Sequence, residues 1–283
     1  MILDRFKTNR TCDKKWQANS HREVGFVFLS YNTTGMPHLP LKGQRALVTG
    51  AGLRIGKAVA LALADAGADV VVHYLSSETE ARDTAARIRR KGRRAWALRA
   101  DLGDPAQAAA LFEEARRKAG PVRVLVNNAS VFPSDRVTGL SWEGLSENLR
   151  VNAFAPLVLG RALRAQGLAG CIVNVLDCRI QDYDKEHASY HLSKRMLFTL
   201  TRMMALEFAP KVRVNAVAPG LILPPRGRSR AWLERLKDTN PLCGLGSPQD
   251  VAEAALFLLR SRFVTGQTLY VDGGRHMRGA VYG

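Results

Sequence analysis

Two residues suited to proton transfer lie four positions apart in the segment Tyr190-His191-Leu192-Ser193-Lys194. On a helix this spacing puts the phenol and the ammonium on one face. A nearby ammonium favours the phenolate, so we expect Lys194 to lower the pKa of Tyr190 from its usual value of about 10. Such a tyrosine can pass a proton near neutral pH. The spacing alone is common and usually structural, so its meaning depends on the rest of the chain.

A glycine-rich segment, Thr49–Gly56 (TGAGLRIG), follows the short apolar run Ala46–Thr49 and opens a stretch with helical spacing. Glycines let the backbone turn tightly and approach a pyrophosphate, and the N-terminus of the following helix offers free N–H groups. A strand before the glycines and a helix after them are the context that a dinucleotide-binding loop requires. The segment therefore predicts such a loop, with cofactor contacts at Gly50, Arg54 and Ile55.

The end of the second predicted strand bears on the choice of cofactor. NAD-selective sites usually carry an acidic residue there, whereas this chain reads His73-Tyr74-Leu75-Ser76-Ser77. Arg54 in the glycine loop can meet a 2′-phosphate, and Ser76 and Ser77 can donate hydrogen bonds to it. We therefore expect NADP(H), with His73 and Tyr74 also beside the cofactor. The alternative is that Arg54 is simply exposed on the first helical turn.

Apolar strands alternate with helices along the whole of residues 41–283, which is typical of a parallel sheet covered on both faces. This order predicts an α/β fold with a doubly wound, Rossmann-type parallel sheet in a single domain, whose ligands bind at the carboxyl ends of the strands. Leu140–Leu163 is expected to form one long helix that Pro156 distorts. Ser189–Phe208, which carries the Tyr190/Lys194 pair, is expected to form another.

The composition excludes several classes of protein. The chain has 283 residues, of which 46% are hydrophobic, and this is enough for one sizeable core. No apolar run reaches the roughly 18 residues that span a bilayer. The four cysteines, Cys12, Cys171, Cys178 and Cys243, lack metal-like spacing, so we expect free thiols in the cytoplasm and no metal site.

The formal net charge is +17, with basic clusters at Arg87–Arg94 and Arg226–Arg230. A solvated basic face is the favoured explanation, and attraction of an anionic ligand or of nucleic acid is the alternative. Neither cluster contains interleaved aromatic residues or a nucleic-acid motif, so no nucleic-acid partner is expected.

The first part of the chain differs from the rest, because residues 1–35 are polar, mixed in charge and without periodicity. Gly25–Leu29 is too short for a signal-peptide core. We expect residues 1–40 to form a disordered arm, or translation to begin at Met36.

With these features, residues 43–283 resemble the short-chain dehydrogenase/reductase family. The resemblance implies that Asp101 contacts the adenine, that Asn152 holds a water in a proton relay with Lys194, and that Lys194 also holds the nicotinamide ribose. It further implies a nicotinamide pocket and other cofactor contacts formed by Leu102, Asn128, Ala129, Ser130, Tyr190, Pro219, Gly220 and Leu221. The matching motifs are the Thr49–Gly56 loop, Asp101-Leu102, Asn127-Asn128-Ala129, Asn152, Tyr190/Lys194, Pro219-Gly220 and Asp272-Gly273-Gly274.

One position departs from the family pattern. The family usually has a serine after the fifth strand, about a dozen residues before the tyrosine, and Asp177 stands there in this chain. A carboxylate cannot donate a hydrogen bond to a ketone oxygen, but it suits a ring rich in N–H donors or a relay to a ring nitrogen. The alternative is that Asp177 is a salt-bridged loop residue.

The same replacement occurs in the pteridine reductase branch, including bacterial dihydromonapterin reductases. Arg54, His73-Tyr74, the segment Asn127–Pro133 (NNASVFP) and Asp272–Met277 (DGGRHM) also resemble that branch. The resemblance implies a substrate site in which Phe132 stacks on a pterin ring and other contacts come from Ser130, Asp177, Tyr190 and Leu221. Ser76 departs from the branch, since trypanosomatid pteridine reductases carry an arginine there.

The sequence thus predicts an NADPH-dependent reduction of a dihydropterin of the monapterin, biopterin or folate type, with Tyr190, Lys194, Asp177 and Asn152 managing the proton. Two alternatives stay open: a carbonyl or 3-oxoacyl reductase, and a catalytically idle NADP-binding protein that associates with nucleic acid. The resemblance also implies a homotetramer packed through the two long helices.

Overall fold

A seven-stranded sheet runs through the protein, and all of its strands are parallel. The computed structural model describes residues 41–225 and 227–280; the arm predicted over residues 1–40 and the start predicted at Met36 lie outside them. The strands are β1 (Arg45–Val48), β2 (Asp69–Tyr74), β3 (Ala95–Arg99), β4 (Val124–Asn127), β5 (Gly170–Val175), β6 (Val212–Pro219) and β7 (Thr268–Val271). Their order, β3-β2-β1-β4-β5-β6-β7, confirms the predicted doubly wound fold and reverses direction between β1 and β4.

Helices cover both faces of the sheet. They are α1 (Arg54–Asp65), α2 (Glu78–Arg90), α3 (Pro105–Ala119), α4 (Trp142–Leu149), α5 (Ala155–Ala165), α6 (Ala188–Glu207), α7 (Arg230–Glu234) and α8 (Pro248–Arg260). None of these helices is long and apolar enough to cross a bilayer.

Side chains alternate between two cores because successive residues of a strand point to opposite faces. In β1, Ala46 and Val48 pack with α1, α2 and α8, whereas Leu47 packs with α3, α5 and α6. All three side chains are fully buried. Burial on both faces explains why the strands read as continuous apolar runs in the sequence.

The long helix predicted over Leu140–Leu163 begins at Trp142 and is interrupted. A π-helical turn, Arg150–Phe154, separates α4 from α5, and Pro156 lies in the first turn of α5. Proline has no N–H, so the carbonyl of Asn152 receives no bond from the residue four positions later. The predicted distortion is therefore present, and it places Asn152 in the wide turn.

Candidate active site

The predicted site residues converge at the carboxyl ends of β1, β4, β5 and β6, on both sides of the point where the strand order reverses. Thr49–Gly56 follows β1, Asn128–Phe132 follows β4 and Asp177 follows β5. The Tyr190/Lys194 pair enters from the first turns of α6. Parallel strands bring these separate segments to one edge of the sheet, where such folds bind ligands.

The glycine loop is packed against the segment that follows β4. The Nδ2 of Asn128 donates to the carbonyls of Thr49 (2.9 Å) and Gly50 (3.1 Å), and Thr49 Oγ1 accepts from the N–H groups of Asn128 and Ala129. Gly50 has a φ of +62°. A Cβ atom on Gly56 would lie 2.2 Å from the Gly50 carbonyl oxygen, so only glycine fits there.

The N-terminus of α1 is available for an anion. Leu53 at its N-cap supplies no capping hydrogen bond, and its first turn contains no acidic residue. The first N–H groups of a helix have no partner within the helix, and its N-terminus is positive. This arrangement fits the pyrophosphate of a dinucleotide, as the sequence predicts.

His73 was predicted to lie beside the cofactor, but its ring is buried and both of its nitrogens are used within the protein. Its Nδ1 accepts from the Gly50 N–H at 3.1 Å, which leaves Nε2 to donate to the Ala100 carbonyl at 3.1 Å. Burial lowers the pKa of His73 from 6.5 to about 4. The side chain is therefore a neutral support beneath the glycine loop, and the prediction of a direct cofactor contact is corrected. The neighbouring Tyr74 is also buried.

The depressed pKa of His73 predicts a pH-dependent stability. A group that is neutral when folded and accepts a proton when unfolded stabilises the fold above pH 6.5, and this contribution is lost as the pH falls from 6.5 to about 4. We expect His73 to account for a loss of roughly 2 kcal/mol in the free energy of unfolding between about pH 7.5 and pH 5. The measurement is urea unfolding of the wild type and of His73→Asn, whose side-chain oxygen can still accept from Gly50. The variant should show the shallower pH dependence, and equal slopes would contradict the prediction.

Arg54 links the glycine loop to the segment after β6. It adopts a φ of +55°, and its Nη2 donates to the Pro224 carbonyl at 2.7 Å. This bond directs the guanidinium toward the β6 loop. The two other residues predicted to face a 2′-phosphate stand at the end of β2, where Ser76 is exposed and Ser77 is half-buried against Gly52.

The remaining predicted cofactor residues lie around the same edge. Asp101 follows β3 and accepts from the Gly103 N–H at 2.8 Å, and Leu102 is buried beside it. Ile55 lies half-buried in the first turn of α1, and Ser130 is exposed after β4. Pro219 is the last residue of β6 and Gly220 follows it, where a Cβ on Gly220 would lie 2.6 Å from Asp272 Cβ.

Leu221 was predicted to touch both cofactor and substrate. Its side chain is only 7% exposed, and its carbonyl accepts from the Gly246 N–H at 3.0 Å. The side chain therefore packs in the interior and offers little surface to a ligand, and the contact of Leu221 with cofactor and substrate stays a prediction.

Tyr190 and Asp177 are directly hydrogen-bonded. The Tyr190 hydroxyl donates to Asp177 Oδ2 at 3.0 Å, while Asp177 Oδ1 accepts from the Arg179 N–H at 2.8 Å. Asp177 makes this second bond as the N-cap of the 3-10 turn Cys178–Gln181. Both carboxylate oxygens are thus engaged, and within residues 41–225 and 227–280 Asp177 forms no ion pair, contrary to the alternative of a salt-bridged loop residue.

The expected effect of Lys194 on Tyr190 is wrong in this structure. Burial, together with the charge and hydrogen bond of Asp177, raises the pKa of Tyr190 well above its usual value. The Lys194 ammonium donates to the Val175 carbonyl at 2.8 Å and lies 5.6 Å from the centre of the Tyr190 ring. Burial also lowers the pKa of Lys194 to about 8. Tyr190 therefore keeps its proton at neutral pH and is a donor.

Asn152 joins the β4 loop to α6. Its Oδ1 accepts from the Val131 N–H (2.9 Å), and its Nδ2 donates to the Val131 carbonyl (3.0 Å) and to Ser193 Oγ (2.9 Å). The amide side chain is thus fully occupied by the protein. The role of Asn152 in holding a relay water therefore stays a prediction.

Phe132 lies next to Tyr190, but one face of its ring is already covered. The His187 ring stacks on it with centroids 4.0 Å apart, and Tyr190 meets it edge-on at 4.5 Å. Phe132 is still 42% exposed. A flat substrate therefore has only the remaining surface of Phe132 for stacking. The rings of Phe132, His187 and Tyr190 together form one side of the candidate site, which we call the substrate wall. The sequence did not indicate His187 as one of its members.

The doubly wound fold thus places a glycine loop beside a cluster of Tyr190, Lys194 and Asp177. A family model described as enoyl-(acyl carrier protein) reductase matches residues 50–276. L-xylulose reductase of Mus musculus is 37% identical over 248 residues, which cover 83% of this chain and 98% of that protein. A short-chain type dehydrogenase/reductase of Picea abies is 33% identical, with 83% and 93% covered. The chain belongs to the short-chain dehydrogenase/reductase family.

Among solved structures, FolM alternative dihydrofolate reductase 1 from Brucella suis, in complex with NADP, superposes with a TM-score of 0.80. The two sequences are 33% identical, and the match covers 84% of this chain and 96% of that one.

Proposed function

We propose that this protein is an NADPH-dependent reductase that converts a dihydropterin of the monapterin, biopterin or folate type to its tetrahydro form. The observation that carries the proposal is the 3.0 Å hydrogen bond from Tyr190 to Asp177. A catalytic carboxylate stands where reductases of simple ketones use a hydroxyl donor. It gives the site an acceptor for the N–H groups of a pterin ring beside a donor for its ring nitrogen.

NADP(H) is the cofactor in this proposal. The glycine loop and the uncapped N-terminus of α1 fit its pyrophosphate. The end of β2 carries serines in place of an acidic residue, which removes the group that would repel a 2′-phosphate. The Brucella suis relative was solved with NADP, in agreement with this choice.

The residues of the chain have separate tasks in the reduction. NADPH supplies the hydride when bound. Tyr190, protonated at neutral pH because of burial and Asp177, donates the proton to the reduced ring nitrogen. Asp177 holds the phenol in place, and Lys194, protonated below a pKa of about 8, supplies the positive charge that stabilises the tyrosinate left behind.

A carbonyl reductase is the second candidate, because the L-xylulose reductase relative matches almost over its full length. Asp177 weighs against it, since a carboxylate beside a ketone oxygen repels the negative charge that develops during reduction. The two candidates are separated by NADPH oxidation with dihydromonapterin, dihydrobiopterin, dihydrofolate, L-xylulose and an acetoacetyl thioester in parallel. Turnover of a carbonyl substrate without turnover of any pterin would refute the proposal.

Asp177→Ser should discriminate further. We expect roughly a tenfold to hundredfold loss of kcat for the pterin, because the substitution removes the acceptor that orients Tyr190, and a gain in ketone reduction. Asp182→Ser is the matched control, since it makes the same change at an exposed position five residues along the chain. Unchanged pterin kinetics in Asp177→Ser would show that the carboxylate has no part in the reaction.

We also propose that the protein is a cytoplasmic homotetramer. Met203 and Leu206 on α6 and Trp142 on α4 are exposed apolar side chains, and they lie on the two helical segments through which the family resemblance implies that subunits pack.

A further inference from the structure

Asp184 is a buried carboxylate outside the predicted site, and it has three donors. It accepts from Arg179 Nη1 at 2.5 Å, from the Glu186 N–H at 2.9 Å and from His187 Nδ1 at 3.0 Å. Its side chain is 7% exposed. Burial by itself raises the pKa of Asp184, but the Glu186 N–H, Arg179 and His187 together hold that pKa below its usual value. The carboxylate is therefore ionised, and the proton of the shared bond lies on His187 Nδ1.

One line of contacts runs from Asp184 to the substrate wall. Asp184 fixes the His187 ring through Nδ1, and that ring stacks on Phe132 at 4.0 Å with an angle of 17° between the planes. Phe132 in turn meets the Tyr190 ring at 4.5 Å and 89°. The orientation of the exposed Phe132 ring thus depends on the hydrogen bond between His187 and Asp184, which Phe132 itself does not touch.

A second line runs from Asp184 to the catalytic carboxylate. Arg179 pairs with Asp184 through its guanidinium, while its own backbone N–H donates to Asp177 Oδ1. Asp177 then accepts from Tyr190, where the first line also ends. The two lines close a ring of contacts around the site, and Asp184 is the member that joins them.

The loop that carries Asp184 has other anchors. The Asp135 N–H donates to the Glu186 carbonyl at 2.9 Å, and the Asp135 carbonyl accepts from the Ala188 N–H at 3.1 Å. Asp135 Oδ1 also accepts from the Ser189 N–H at 3.1 Å. These bonds hold the loop against the β4 segment without the Asp184 side chain, so that side chain is available for another role.

We propose that Asp184 is a positioning residue, which sets the plane of Phe132 through His187 and the place of Asp177 through Arg179. The proposal rests on the proposed function in that it takes Phe132 and Tyr190 as the substrate wall. It deepens that function by assigning recognition of flat aromatic rings to the Asp184–His187 pair. A ring-recognition wall of this kind favours fused aromatic substrates over small aliphatic ones.

The test compares Asp184→Asn with Glu186→Gln, which makes the same chemical change in an exposed ion pair of the same loop. Two dicarbonyl probes separate ring recognition from chemistry: 9,10-phenanthrenequinone is flat and aromatic, and 2,3-butanedione is small and aliphatic. Binding of oxidised pterin is measured by quenching of its fluorescence. For Asp184→Asn we expect KM for the quinone and Kd for pterin to rise roughly three- to tenfold, the value of one aromatic pair. KM for butanedione should stay the same.

Two variants of His187 and an NMR spectrum test whether the effect of Asp184 reaches Phe132 through the His187 ring. His187→Ala should reproduce the rise in KM for the quinone. His187→Phe should keep KM at the wild-type value, because a phenyl ring can stack on Phe132 without a hydrogen bond to Asp184. In NMR spectra, the C–H protons of His187 should show an upfield ring-current shift from Phe132 that Asp184→Asn abolishes and Glu186→Gln keeps.

Equal rises in KM for both dicarbonyls, or a retained ring-current shift in Asp184→Asn, would overturn the positioning of Phe132. A loss of kcat common to both dicarbonyls is the effect expected from the contact of Asp184 with Asp177 through Arg179. If the wild type binds no pterin but Asp184→Asn still weakens the quinone selectively, the proposed substrate is wrong and the positioning role stands.

Discussion

Replacing Tyr190 with Phe is expected to lower kcat for the reduced substrate by roughly a thousandfold. The substitution removes the hydroxyl that donates to Asp177 at 3.0 Å and that keeps its proton at neutral pH. A phenylalanine preserves the ring that packs edge-on against Phe132. Affinity for NADPH should change little, because the phosphate loop is formed by other residues.

The measurement pairs steady-state NADPH oxidation with a titration of NADPH fluorescence on the protein. Tyr183→Phe is the matched control: Tyr183 is 84% exposed on the loop before α6, and removal of its hydroxyl should leave kcat unchanged. A Tyr190→Phe enzyme with more than about a tenth of wild-type kcat would mean that another group donates the proton.

The fold could be predicted from the sequence because burial on both faces leaves a plain pattern. The strands show as short apolar runs, and α6 (Ala188–Glu207) begins and ends within one residue of the helix predicted over Ser189–Phe208. The predicted helix over Leu140–Leu163 was wrong in detail, since periodicity does not distinguish an α-helix from one that contains a single π turn. Pro156 indicated where the helix would be distorted, but it did not indicate that the distortion would be a π-helical turn.

The site was predictable where chemistry depends on residue type and spacing, and it was not where chemistry depends on burial. Tyr190, Lys194 and Asp177 are brought together as predicted. The direction of the pKa shift of Tyr190 was wrong, because desolvation and a carboxylate at 3.0 Å outweigh an ammonium that donates to a backbone carbonyl. The position of His73 at the end of β2 fits either a cofactor contact or a buried support. The sequence could not show that both ring nitrogens are used within the protein.

His187 and Asp184 were missed for a different reason. Their i,i+3 spacing is a weak signal of a paired carboxylate and imidazole, but the contact of His187 with Phe132 joins two loops that are distant in the sequence. The bridge between Asp135 and His187 lays the loop before α6 beside the segment after β4, and this brings the two rings together. No local pattern encodes such a contact.

Gly56→Ala is expected to abolish tight NADPH binding, and it tests the phosphate loop independently of the substrate. The new Cβ would lie 2.2 Å from the Gly50 carbonyl oxygen and 2.5 Å from Asn128 Nδ2. Neither atom can retreat alone, because Asn128 holds the carbonyls of both Thr49 and Gly50. The loop must therefore shift as a unit, and its N–H groups leave the positions that face the pyrophosphate. Loss of two charge-assisted hydrogen bonds weakens NADPH by at least about a hundredfold.

The same overpacking should reduce the free energy of unfolding of Gly56→Ala by roughly 1–3 kcal/mol. The measurements are calorimetric titration with NADPH and urea unfolding without it. Gly139→Ala serves as the control, since a Cβ there meets no atom within 4 Å and its φ lies outside the left-handed region. Wild-type affinity for NADPH in Gly56→Ala would show that the dinucleotide does not approach this loop. Weakened binding in Gly139→Ala as well would mean that the loss reflects a general disturbance of the fold. Loss confined to Gly56 locates the pyrophosphate between β1 and α1, which is the placement that puts the nicotinamide within reach of Tyr190.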